Sequence, residues 1–316
     1  MTEEQLIAAA KTAQRTSDFP ALERTARELI ACGDDRGDAT AAGNGYAYLG
    51  AALIGRNDAP GARAAFERSR ESLQTAGDAM GVVRALNGLG VAAMDLELDV
   101  AAARRYLDDA LALALATAGP DCHWGSDRHW LGIVIGNLGE AKRFQGDYRG
   151  AIASGHEALT IMKQCADAAR AAWQMVNIAH CQLLAGNAPA AVKSLRKAFD
   201  YLSQDARDPK ICALYLDVWF LVAASLDEWS TAARLLGFVD AFRERHALVR
   251  LPLLLPWIGP NVRRLERKLP PRELASLLAE GAALSVAGAD ELTLRLAAIA
   301  AAETLPARRV LQAVSR

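Results

Sequence analysis

A chain of 316 residues, 52% apolar and 23% charged, carries enough apolar surface for a folded core, which excludes intrinsic disorder. Its formal net charge of -1 excludes a bulk attraction to nucleic acid or an anionic membrane. Five scattered cysteines (Cys32, Cys122, Cys165, Cys181 and Cys212) with no C-x-x-C pair argue against a disulfide framework or zinc cluster and for a reducing compartment. The acidic start MTEEQL has no basic region followed by an apolar run, and the apolar stretches are too short to span a bilayer, so the expected location is cytoplasmic.

Alanine and leucine dominate, while β-branched and aromatic residues are sparse, so every segment favours helix over strand and the fold class is all-α. In chain order, one Asp or Asn recurs at Asp18, Asp58, Asp99, Asp147, Asn187 and Asp227, at intervals of 40, 41, 48, 40 and 40. Short turns such as Gln145-Gly146-Asp147 and Ala185-Gly186-Asn187 precede it, and Pro20, Pro60 and Pro189 follow two residues after it. Glycine ends a helix in the left-handed conformation, Asp or Asn caps the next one, and proline is tolerated in a first turn.

Four residues after each cap stand Leu22, Ala62, Ala103, Ala151, Ala191 and Thr231. Eight after it stand Ala26, Phe66, Leu107, Gly155, Leu195 and Leu235, and eleven after it Leu29, Ser69, Ala110, Ala158, Ala198 and Phe238. These offsets share one helix face. The preceding helix carries Leu49-Gly50, Leu89-Gly90, Leu138-Gly139 and Ile178-Ala179, whose small member lets a partner helix approach closely.

These residues resemble the tetratricopeptide repeat (TPR), with its Leu-Gly pair in the first helix and its spaced small and aromatic residues in the second. The resemblance covers residues 1 to about 245. It implies a TPR-like α-solenoid of about six helix pairs, residues 1–247, followed by a C-terminal helical cap, residues 248–316. The period of about 40 exceeds the usual ~34, so the helices or linkers are expected to be longer than standard. The first and sixth units are degenerate, the sixth carrying Trp219 where the small residue belongs. The single longer interval places an inserted loop near residues 117–128, TAGPDCHWGSDR, with Trp124 and Trp130 at its flanks as candidates for a lid.

From Leu251 the composition changes, with five of the eleven prolines between Pro252 and Pro271. The run LPLLLPWIGP should break helices and cover the end of the stack, followed by amphipathic helices at 261–268 and 271–284 and a last helix near 290–303. The stretches AARLLGFVDAFRERHAL (232–248) and AEGAALS (279–285) resemble the C-terminal helical-repeat sensor region of large bacterial ATP-dependent transcription regulators. This implies a regulatory role, as a separated sensor region or a stand-alone relative, since neither an ATPase nor a DNA-binding part accompanies it.

No residue set asks for catalysis. A phosphate-binding loop and a nucleophile elbow are absent from the sequence, and Gly88-Leu89-Gly90 falls inside a repeat helix, where glycines serve packing. His156-Glu157 lacks the second histidine of a zinc-protease motif, having Thr160 instead. Cys122, His123 and His129 are too few and badly spaced for a closed metal site. Arg263, Arg264, Arg267 and Lys268 read as the solvated face of an amphipathic helix. No catalytic residue, metal or cofactor is expected.

The first helices of stacked pairs line a concave surface. In the resembled repeat the groove positions lie about six, three and two before the small residue and one and four after it. Carried over, they are Arg84 and Asn87 in the third unit, Asn137, Glu140 and Arg143 in the fourth, and Trp173, Asn177 and His180 in the fifth. Asparagine is a mediocre helix former, so its recurrence needs a reason. Its amide can meet a peptide backbone, or it can hydrogen-bond between neighbouring helices; Trp173 can cover an apolar group or sit in the core. The leading expectation is a non-enzymatic protein- or peptide-binding module in a bacterial regulatory assembly. The alternative is the small-molecule sensor domain of an ATPase-type transcription regulator. Direct nucleic-acid or membrane binding is not expected, and a dimerisation scaffold stays open.

Overall fold

The computed structural model describes residues 1–117, 126–202, 208–250 and 254–314, and among them every regular element is an α-helix. Six consecutive pairs come first: α1 (Glu3–Arg15) with α2 (Phe19–Arg36), α3 (Ala39–Gly55) with α4 (Ala59–Thr75), α5 (Ala79–Asp95) with α6 (Val100–Thr117), α7 (Ser126–Phe144) with α8 (Tyr148–Gln164), α9 (Ala168–Leu184) with α10 (Ala188–Leu202), and α11 (Pro209–Ser225) with α12 (Trp229–Arg245). Then follow α13 (Leu255–Lys268), α14 (Pro271–Ala282) and α15 (Val286–Val314). Two compact units result, Met1–Asp167 with Val249–Leu253, and Ala168–Leu248 with Leu254–Arg316. The first holds α1 to α8 and the second α9 to α15.

The long period comes from the helices. Both α3 and α4 have 17 residues, joined by short turns. In these turns one residue takes a left-handed φ, as Gly77 does at 71° and Gly146 at 79°, where a Cβ would be strained. The next acid then caps the following helix. Asp18, Asp58, Asp99 and Asp147 accept from Ala21, Gly61, Ala102 and Gly150 N–H groups at 2.8 to 3.0 Å, and Asn187 accepts from Ala190 at 3.1 Å. Asp38, Asp78 and Asp208 do the same for first helices, a second set of caps interleaved with the first. Each cap stabilises its helix by about 1 kcal/mol.

The sixth unit departs from the expected register. Asp227 is not the cap but the left-handed turn residue (φ 55°), and Glu228 occupies the cap position without a side-chain bond. Thr231 is therefore only half-buried, and Ala232, one residue on, is fully buried. The turn itself is as long as those between α7 and α8 and between α9 and α10; the frame lies one residue later because Glu228, not Asp227, holds the cap position. Elsewhere the residues four, eight and eleven after each cap are buried. Trp219, standing where a small residue was expected, is also fully buried.

The small residues act by admitting large neighbours. A Cβ on Gly50 would lie 2.7 Å from the Phe66 ring, and one on Gly88 2.3 Å from it, so that ring sits between two first helices. Gly90 similarly faces Leu107. The Gly88-Leu89-Gly90 stretch is thus helical packing surface.

Beyond α12 the helix boundaries differ from expectation: α15 runs over Val286–Val314 rather than near 290–303, and the start of α13 moves further still. Helix α13 begins at Leu255 rather than near residue 261, with Pro256 in its first turn and Pro260 inside it. A first-turn proline loses no helical bond, so the run can start a helix it cannot continue from upstream. Leu251–Leu253 lie outside the described residues, as do most of the inserted loop and its Cys122, His123 and Trp124. The two stretches that carried the regulator resemblance meet each other: Gly237 of α12 and Gly281 of α14 form the crossing point. A Cβ on Gly237 would lie 2.1 Å from the Leu278 carbonyl oxygen, and one on Gly281 2.1 Å from that of Arg234. Arg234 Nε donates to Glu280 Oε2 beside the crossing at 2.9 Å.

Candidate functional site

In the first unit, α3, α5 and α7 are the first helices of successive pairs, and polar side chains recur along them. Arg84 Nη2 donates to Asn44 Oδ1 at 3.0 Å, linking α5 to α3. The same nitrogen lies 3.2 Å from Asp78 Oδ2. Asp78 is already fixed, because its Oδ1 accepts from the Gly81 N–H at 2.7 Å. The cap therefore also aims the guanidinium, which stays partly exposed.

One step along, Asn137 Nδ2 of α7 donates to Asn87 Oδ1 of α5 at 2.8 Å. The pair is nearly enclosed, at 9% and 7% exposure. Glu140 and Arg143 follow on α7, both buried, with Arg143 Nη2 3.7 Å from Glu140 Oε2 and its guanidinium 5.6 Å from the Phe144 ring centroid. Burying two charges is tolerable only where they are paired. Tyr48 of α3 is half-buried; burial pushes its phenol above the ordinary tyrosine range, and the Arg84 charge pulls it partly back.

The remaining expected residues stand in the second unit, on α9. Trp173 is half-buried, Asn177 and His180 are buried. The His180 ring meets Trp257 of α13 edge-on, with centroids 4.9 Å apart at 78°. Between α11 and α12, Arg243 grips buried Asp217 with two bonds, Nη1 to Oδ1 at 3.1 Å and Nη2 to Oδ2 at 2.5 Å. The structure thus places Arg84, Asn87, Asn137, Glu140 and Arg143 on adjacent helices of one unit, and Trp173, Asn177 and His180 on a helix of the other.

Sequence reasoning did not single out Asn44, Tyr48 or Asp78. Asn44 and Tyr48 stand six and two residues before Gly50, groove offsets already used for other units, so that signal was present. His129, weighed as a metal ligand, lies 2.7 Å from Asp167 Oδ2 through its Nε2.

Paired helices repeating every forty residues, with first helices bearing inter-repeat polar contacts, define a TPR-like helical-repeat protein. No protein-family model matches the chain, and no curated protein matches it in sequence. Solved structures do. A Rap protein complexed with competence and sporulation factor is similar at a TM-score of 0.57 and 12% identity, over 86% of this chain and 74% of that one. The apo form of RapI is similar at 0.54 and 12% identity, over 85% of this chain and 100% of that one. Nearly identical TPR-like repeats of a Podosopora anserina protein assigned as a kinesin light chain align at 0.45 and 12% identity, over 64% and 94%. At such identities the shared property is the fold. No described helix is long and apolar enough to cross a membrane.

Proposed function

We propose that the chain is a non-enzymatic binding module that captures a peptide segment or a partner protein on its first-helix face. The observation that carries this reading is the polar row on α3, α5 and α7. Asn44, Arg84, Asn87 and Asn137 are linked across repeats, with Arg84 partly exposed and the Asn87–Asn137 pair nearly enclosed. In each bonded asparagine the other amide atom, Asn87 Nδ2 and Asn137 Oδ1, makes no hydrogen bond among the described residues. A donor and an acceptor thus remain in this row for the polar groups of a ligand. Arg84 adds a positioned cation for a carboxylate. Glu140 and Arg143 support this row from the interior, and Trp173, Asn177 and His180 are the corresponding set on α9.

The Rap protein of the same fold, solved with competence and sporulation factor, shows that this architecture can hold such a ligand in another protein. Residues 248–316 serve as the cap of the array, and the whole belongs to a cytoplasmic bacterial regulatory assembly, in line with the regulator resemblance. The test is affinity capture from native extract with the parent chain and an Arg84→Ala/Asn87→Ala/Asn137→Ala chain, read by mass spectrometry. Retained proteins are then titrated as purified samples. A partner bound by the parent and at least about tenfold more weakly by the variant, a difference of roughly 1.4 kcal/mol, supports the reading. Equal affinity for both chains removes the face from consideration.

A further inference from the structure

Helix α13 has one face turned into the second unit and one face in water. Ile258 and Leu265 are buried, and Trp257 and Val262 are half-buried. Arg263, Arg264, Arg267 and Lys268 are exposed, so the basic cluster is the outer side of an amphipathic helix.

Its location is unusual for a stacked array. A seventh helix pair in register would meet only the sixth pair, α11 and α12. Helix α13 does touch both, but it also reaches α9 of the fifth pair through the Trp257–His180 ring contact. The place beside α12 that the first helix of a next pair would take is filled by α14, at the Gly237–Gly281 crossing. Helix α13 is therefore laid across the first helices α9 and α11 instead of continuing the stack. It is clasped at a second point, where the Arg264 guanidinium stands 5.0 Å from the Trp229 ring centroid. Aromatic and cation–π contacts of this kind anchor helices in grooves.

We infer that α13 is a built-in occupant of the first-helix face of the second unit. The external partner of that face is an amphipathic helix of the same pattern: an aromatic anchor for His180, an apolar residue directly after it, an arginine seven residues on and an apolar residue eight on. Such a partner competes with α13. This rests on the binding reading proposed above and adds the chemical class of ligand and an internal competitor for it.

The test needs no external partner, so its outcome is separate from that of the capture experiment. A fluorescent peptide of residues 254–269 is titrated by anisotropy against the intact parent chain and against an intact chain carrying Trp257→Ala/Arg264→Ala. A segment tethered through a short linker competes at about millimolar effective concentration, so its release should tighten peptide binding by about tenfold or more. The gain should vanish when the peptide itself carries Trp257→Ala, or when His180→Ala is added to the chain. Should the double variant melt early, Arg264→Ala alone removes only an exposed cation and must give a smaller gain of the same sign. A folded variant that binds no more tightly than the parent, or that binds the Trp257→Ala peptide equally well, overturns the inference.

Discussion

Replacing Asn137 by alanine separates two roles that look alike in sequence. If the side chain only faced a ligand, alanine would stabilise the free protein, because it is the better helix former by roughly 0.5 kcal/mol. The geometry predicts the opposite sign. Asn137 Nδ2 is the donor to Asn87 Oδ1 at 2.8 Å, and at 7% exposure Asn87 has little water to turn to. Leaving a buried acceptor unmet costs about 1–3 kcal/mol, so the net loss for Asn137→Ala is about 0.5–2.5 kcal/mol. Asn87→Ala orphans the donor instead and should cost a similar amount. The double variant leaves no orphan and gains helix propensity at both positions. Its loss should therefore fall short of the sum of the single losses by about 1 kcal/mol or more. Urea unfolding followed by far-ultraviolet circular dichroism, with slopes compared across the four chains, measures the cycle. Additive single effects, or two single variants more stable than the parent, would refute the bond and the reasoning built on it.

Two further expectations concern the same unit. Gly88→Ala places a methyl group against a Phe66 ring that Gly50 blocks from retreating; overpacking of about 1–3 kcal/mol against a propensity gain of ~1 predicts net destabilisation of up to about 2 kcal/mol, partly relieved by Phe66→Leu. A Gly88→Ala chain with a higher melting temperature would contradict this. Because burial raises the Tyr48 phenol while Arg84 lowers it, the folded state favours the neutral ring. Stability from this residue is fully present below the ordinary tyrosine range and is lost as pH rises through the raised folded value. Ultraviolet difference titration against a Tyr48→Phe chain should show a high midpoint, and Arg84→Ala should raise it further; a midpoint lowered by that change would reverse the assignment.

The sequence revealed the repeat because caps and small residues recur at fixed offsets, and those are local rules. Asp18, Asp58, Asp99, Asp147 and Asn187 all cap second helices where the spacing puts them. The sixth unit misled because Asp227 and Glu228 stand next to each other, and acidic neighbours look alike in a one-dimensional pattern. That the asparagines bond between neighbouring helices was one of two open readings; which two would pair was not legible, since Asn87 and Asn137 stand at different offsets, three and two residues before their small residues, across the longer interval. Nor was the path of α13, which depends on a contact with a helix far back in the chain. The glycines of the regulator-like stretches carried a message of a different kind. Gly237 and Gly281 are a matched pair for backbone contact between α12 and α14.

That packing also bears on assembly. A linear array presents unlike surfaces at its two ends, and an end able to accept one more repeat could accept another molecule's first repeat, head to tail, without limit. With Gly237 and Gly281 in backbone contact, α12 has its outer flank sealed by its own chain at a distance no incoming side chain could share. Stacking of a further repeat on α12 would require peeling α14 away, so the glycine pair closes this side of α12 to head-to-tail growth.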